Sequence, residues 1–161
     1  MKKPIKKIKI LRDTREQNPW NFDRFVEYID ISKDTIPYGD YTLVGHEHYK
    51  DDNSIIIERK KNTLEIVTNL GTAWDRFKCE LEELSKFRYK QIIVCNSCNI
   101  EYLYRSGMTK LNPAFFYRQL SSIYINYNIP TLFFDNSSQA EEYVSRLFYQ
   151  IVKKTEIEDN G

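Results

Sequence analysis

Cysteine is scarce, with three among 161 residues. A disulfide scaffold is excluded, and a reducing compartment is expected: the cytoplasm of a bacterial or phage-infected cell, or a eukaryotic nucleus. Cys95 and Cys98 form one CxxC, but only Cys79 remains, so a zinc-finger type of site lacks its second pair. The pair reads instead as the end of a buried strand. No apolar run approaches the roughly 20 residues of a membrane span. The lysine-rich start has no apolar h-region, so no signal peptide is expected either. An excess of one charge is also missing. Lys and Arg number 24 and Asp and Glu 23, and the net charge of +1 gives no global basic field for nucleic acid. There is no internal repeat and no low-complexity linker. The two histidines, in "HEH" at His46–His48, have no third ligand nearby and read as a surface loop.

The length fits one domain over residues 1–161. Hydrophobic residues make up 41% and charged residues 29%, as in a globular protein with a real core. Five of the first nine residues are lysines, and residues 1–9 read as a basic arm, able to follow a phosphate backbone or to stand solvated. Twelve tyrosines and nine phenylalanines exceed what a core needs, so some are expected on the surface, where they stack on bases or on a partner protein.

Strands are predicted over Lys6–Asp13, Tyr38–Gly45 and Ser54–Lys60. "REQNPWNF" reads as a turn with an aromatic anchor, Asp23–Ile29 as a short helix or strand, and "HEHYKDDN" as a polar loop. The hydrophobic period then lengthens. Leu64, Val67, Leu70, Trp74, Phe77, Leu81 and Leu84 form one helical stripe. Thr63 is its expected cap, and Thr72 with Asp75 makes a capping box that divides it in two. "QIIVCN" and "IPTLFFD" are further strands, Pro113–Asn126 and Ser137–Lys154 further helices, the last capped by Ser137 or Ser138. Residues 155–161 read as a frayed tail. The order, strands first and then alternating helices and strands, predicts an α/β fold with a mixed central sheet flanked by helices on both faces.

The chemistry concentrates at "IERK", Ile57–Lys60. Side chains alternate along a strand, so Glu58 and Lys60 share one face and Arg59 takes the other. A carboxylate holds a hard cation, and a lysine beside it orients water or stabilises charge on a phosphate. One carboxylate is too weak a ligand alone. Asp40, after Gly39 at the start of the preceding strand, is the candidate second, and Asp13 ends the first strand within reach of the same edge. An acid followed by Glu-x-Lys on the next strand resembles the signature of metal-dependent nucleases with a restriction-endonuclease-like core.

Three motifs in order carry a sharper resemblance: "DTREQ" at Asp13–Gln17, "GD" at Gly39–Asp40 and "IERK" at Ile57–Lys60. Together with the following "NLGTAWDRFKCELEEL" they resemble the XPF-type structure-selective nuclease domain, whose hallmark is GD…ERKxxxD. The resemblance is clearest over Leu11–Leu84. It implies a metal-dependent DNA endonuclease acting on flaps, forks or junctions in repair, recombination or replication. It further implies Mg2+ or Mn2+ held by Asp40, Glu58 and Asp13, with the Arg59 carbonyl as a further ligand, and Lys60 as the catalytic lysine beside Arg59. Arg15 and Glu16 of the first motif, Arg76 of the helix, and the neighbouring Lys61 and Lys78 are the expected DNA contacts. The family dimerises through this domain, and "AFFYRQLSSIYINY" with the last helix is the candidate face. No helix-hairpin-helix or helicase part is seen, so an isolated nuclease domain of the phage type is expected. The alternatives are a catalytically silent DNA-binding or partner module, or a Holliday-junction resolvase-like enzyme.

One position departs from the pattern. Four residues after Lys60 the motif expects an acid, and Leu64 stands there. A one-residue insertion in the turn "KNT" would let Glu65 fill the place. Leu64 belongs to the apolar stripe and Glu65 does not, which favours that shift. The plainer reading has Glu65 favouring the helix dipole near its start. Plainer readings also exist for Asp13, as a turn cap in "DTRE", and for Lys86, Arg88 and Lys90, as a solvated helix end.

Overall fold

The computed structural model describes residues 7–161, so most of the basic arm lies outside the described residues. The strands are β1 (Ile8–Asp13), β2 (Ile29–Asp34), β3 (Tyr41–Leu43), β4 (Ile55–Lys60), β5 (Tyr89–Val94) and β6 (Thr131–Phe133). They form one six-stranded sheet in the order β2-β1-β3-β4-β5-β6. The centre, β1-β3-β4, is antiparallel, while β2 on one side and β5 and β6 on the other pair in parallel. The helices are α1 (Thr63–Leu70), α2 (Trp74–Leu84), α3 (Ile100–Arg105), α4 (Pro113–Tyr127) and α5 (Ser137–Asp159).

The isoleucines of β4 explain the layering. Ile55 and Ile57 enter a core on one face with Ala140, Val144 and Phe148 of α5. Ile56 enters the core on the other face, with residues of α1, α2, α3 and α4. All three isoleucines are fully buried. A central strand covered on both faces reads as a continuous apolar run rather than an alternation. Each such side chain contributes about 1.5–3 kcal/mol by leaving water, which anchors the strand firmly up to Glu58.

Several expectations need correction. Two elements were not expected: β2 and α3. β2 is an edge strand with only Ile29 buried, so it has no alternation to read, and α3 has six residues, too few to show a period. The span Asp23–Ile29 divides into a 3-10 turn at Asp23–Phe25 and the first residue of β2. The cap of α1 is Asn62, whose side chain accepts from Glu65 N. Thr63 is buried instead, and its hydroxyl accepts from Cys98 N at 2.8 Å. Ala73 precedes α2 with no side-chain cap, so Thr72 and Asp75 form no capping box. Asn136, rather than Ser137 or Ser138, caps α5. That helix runs on to Asp159, so the expected frayed tail is largely helical.

Candidate active site

Gly39 sets the geometry. Its φ is +80°, the left-handed region, and a Cβ there would collide with Ile56 Cγ1. With no side chain, the backbone lies against β4, and Asp40 N donates to Ile57 O at 2.9 Å. Tyr41 pairs with Ile57 in the antiparallel ladder, so one step on Asp40 stands opposite Glu58, on the same face. One Asp40 oxygen, Oδ2, accepts from Arg59 N at 2.7 Å. Glu58 Oε1 accepts from Lys60 Nζ at 2.7 Å.

The charges at the end of β4 therefore separate by face. Lys60 is 4% exposed and lies 5.0 Å from the Phe77 ring of α2. Arg59 is 7% exposed, packs 5.1 Å over the Trp20 ring and donates to Glu16 Oε1 at 2.9 Å. Trp20 is the aromatic anchor of the turn, held by donation from its backbone N to the Tyr41 hydroxyl. Breaking a buried pair such as Arg59–Glu16 typically costs about 3–5 kcal/mol, because the orphaned charge stays desolvated.

Glu16 thus joins the site, accepting from Arg59 and lining the same cavity as Asp40 and Glu58. Three carboxyls, Glu16, Asp40 and Glu58, crowd one small region. Burial, then repulsion by Glu58 and Glu16, raises the Asp40 carboxyl well above the usual range. Burial also raises Glu16, against the pull of Arg59. For Lys60 burial works to lower the pKa, but the Glu58 carboxylate outweighs it, and the ammonium is held more firmly than usual.

Asp13 lines the adjoining part of the cleft with Asp40 and Glu58, and its backbone N donates to Asp40 O at 2.9 Å. Its Oδ1 accepts from Arg15 N and Nε, both at 2.8 Å, and its Oδ2 accepts from Arg15 Nη2 at 2.9 Å and Ile36 N at 2.7 Å. Burial alone would raise this carboxyl, but those hydrogen bonds prevail and lower it. Its observed work is to hold Arg15, whose side chain remains 64% exposed and feels Asp40 and Glu58. Glu65 Oε2 accepts from Lys61 N at 2.7 Å, closing a reciprocal cap with Asn62. Glu65 still lines the same cavity as Arg15, Glu16, Asp40, Glu58 and Lys61, so the capping role does not remove it from the site. Arg76 of α2 is 78% exposed, pairs with Glu80 at 3.5 Å and borders the adjoining part of the cleft with Asp40 and Glu58. Lys78 is exposed on α2 but lines neither part.

Glu80 was missed by the sequence reading. Burial first, then Glu58, raises its carboxyl, and it lies within the field of Lys60. Its only sequence signal is its place four residues after Arg76, one turn along the same helix face.

Among the described residues, no three His, Cys, Asp or Glu side chains converge as a ready-made metal cage. Asp40 and Glu58 supply two hard oxygen donors. That set fits Mg2+, which keeps several waters and binds through one or two carboxylates plus substrate phosphate.

The model of the ERCC4 domain family matches residues 12–147. The chain belongs to the ERCC4 domain family. This is a nuclease family, and the matched range includes Asp40, Glu58 and Lys60. Among solved structures, XPF from Aeropyrum pernix in complex with DNA is similar at a TM-score of 0.63 and 19% identity, over 89% of this chain and 66% of that one. A second structure of XPF from Aeropyrum pernix gives 0.65 and 17%, over 88% and 65%. The chain thus spans just under two thirds of those proteins' length. Their likeness shows the fold, and the expected restriction-endonuclease-like core is the one observed. No curated protein matches the sequence. Among the described residues no helix is long and apolar enough to cross a membrane.

Proposed function

We propose that this ERCC4-family chain is a divalent-metal-dependent endonuclease that hydrolyses phosphodiester bonds in branched DNA. The observation that carries the reading is the Asp40–Glu58 pair facing each other across the ladder, with Lys60 donating to Glu58 at 2.7 Å. A Mg2+ or Mn2+ ion bound by Asp40 and Glu58 supplies water of lowered pKa and neutralises phosphate charge. Lys60, held charged and locked between Glu58 and Phe77, orients the attacking water and stabilises charge at phosphorus. Arg15, pre-aimed by Asp13, and the exposed Arg76 take the phosphate oxygens. Glu16 and Arg59 are positioning residues, Arg59 fixing Asp40 through its backbone N and Glu16 holding Arg59. Lys61 extends the phosphate track. Most of these contacts address the backbone and not the bases, which suits recognition of DNA shape.

The exposed apolar side chains of α4, Tyr117, Tyr124 and Ile125, support a homodimer through that face. The testing experiment incubates the protein with Mg2+ or Mn2+ and labelled flap, fork, four-way junction, duplex and single strand. Cleavage of flaps or forks above duplex is expected, lost in Glu58→Ala and Lys60→Ala. Binding without cleavage would favour a silent module, and strong preference for the four-way junction a resolvase-like enzyme.

A further inference from the structure

A second cavity, of about 400 Å³, lies beside the catalytic cleft along α2. Pro37 and Tyr38 line both, so the two are neighbours. One face of α2 serves both as well: Glu80 borders the catalytic part and Glu83 the second. At a rise of about 1.5 Å per residue these lie roughly 5 Å apart along the axis, on the order of one nucleotide step.

The second cavity is built differently from the first. Its floor is apolar: Leu11 with Ile36 and Phe87, the latter two 2% and 6% exposed. Its rim carries Tyr38 and Tyr49, 43% and 49% exposed. Lys86 Nζ stands 5.7 Å from the Tyr49 ring and pairs with Glu83 at 2.7 Å. Asp34 and Glu47 add carboxylates to the lining. Those acids repel a phosphate but accept hydrogen bonds from amino groups. The occupant that fits is flat, aromatic and rich in N–H donors, with its anionic end directed back toward Arg15 and Arg76.

We infer that this cavity receives one unpaired nucleobase of the DNA, next to the phosphate being cut. The inference rests on the nuclease reading above. Stacking of a base on an exposed tyrosine needs no particular sequence, since every base has a π-face. A paired and stacked duplex cannot offer a base there, whereas the single-stranded arm of a flap or fork does so at no added cost. Selectivity for branched DNA then has a physical seat in Tyr38 and Tyr49, and Tyr38 also lines the catalytic part beside Asp40 and Glu58.

The test uses a fork carrying 2-aminopurine at the first unpaired position, with binding followed by anisotropy in EDTA and stacking by quenching of the 2-aminopurine. Quenching is expected with the wild-type protein and with Tyr38→Phe/Tyr49→Phe, which keeps both rings. It is expected to vanish in Tyr38→Ala/Tyr49→Ala, with binding weakened about tenfold, the scale of one base–aromatic stack. A fork that binds without quenching, or quenching that persists in the alanine variant, overturns the cavity assignment alone. Quenching as expected but no cleavage of any DNA with Mg2+ or Mn2+ overturns the nuclease reading alone and leaves the base site standing. A fork that does not bind overturns both. Circular dichroism and melting of the alanine variant check that both substitutions, at exposed positions, leave the fold intact.

Discussion

Gly39→Ala tests whether the site is positioned by backbone contact. Gly39 has φ +80° and no room for a Cβ, which would meet Ile56 Cγ1 and Cδ1. Ile56 is fully buried, so its side chain has nowhere to swing. Gly45 supplies the control: its φ is +87°, but nothing lies within 4 Å of its added Cβ. Gly45→Ala therefore carries the left-handed backbone penalty alone, about 1–2 kcal/mol. Gly39→Ala carries the same penalty plus overpacking of a filled core, about 1–3 kcal/mol more. In a chain of this size each kcal/mol lowers Tm by roughly 2–4 °C, so the two variants separate by several degrees in a melting experiment. Relief of the clash pushes Gly39 and Asp40 away from β4, breaking the 2.9 Å bond from Asp40 N to Ile57 O. A displacement on the order of 1 Å costs about 100-fold in rate. Gly45→Ala should cleave a flap or fork like the wild type, and Gly39→Ala should fall by about that factor. If both variants melt together and cleave alike, the argument that glycine places Asp40 is wrong.

Asp40→Asn should raise Tm in EDTA at neutral pH, because the crowded carboxyl of Asp40 is held well above its ordinary pKa. The folded state binds that proton more tightly than the unfolded one, so its stabilising effect is full below about pH 4 and is lost as pH rises through the raised value. The gain from the substitution should therefore fade toward pH 4, and Mg2+ should raise the Tm of the wild type more than that of the variant. Asp13→Asn should behave in the opposite sense. Its folded-state pKa is lowered, so its contribution is present above about pH 4 and lost as pH falls through the lower folded value. Urea midpoints should show the variant weaker at pH 7, with the gap narrowing as pH falls below about 4; a constant difference would mean that the Arg15 and Ile36 hydrogen bonds are not what Asp13 supplies.

Much of this protein was legible in its sequence because the signals are local. The isoleucines of β4 announce a strand covered on both faces, strand alternation alone separates Glu58 and Lys60 from Arg59, and a glycine before Asp40 announces a close backbone approach. The helical stripe from Leu64 to Leu84 emerges as α1 and α2, divided where expected although no capping box makes the break. The caps were harder: Asn62, Asn136 and the serines and threonines beside them are nearly equivalent in propensity, and only the position of the neighbouring chain decided among them. Tertiary structure alone decided the rest. β2 exists because β1 offers it a parallel edge, not because its own residues alternate. Arg59 is buried because Trp20 and Glu16, distant in sequence, close over it. Asp13 meets Arg15 and Ile36 N, partners that no spacing along the chain announces, since a buried carboxylate is satisfied by whichever donors surround it. Glu80 and the tyrosine-rimmed cavity depend on α2 lying across the strand ends. That placement is set by packing on the sheet, and no period along the chain records it.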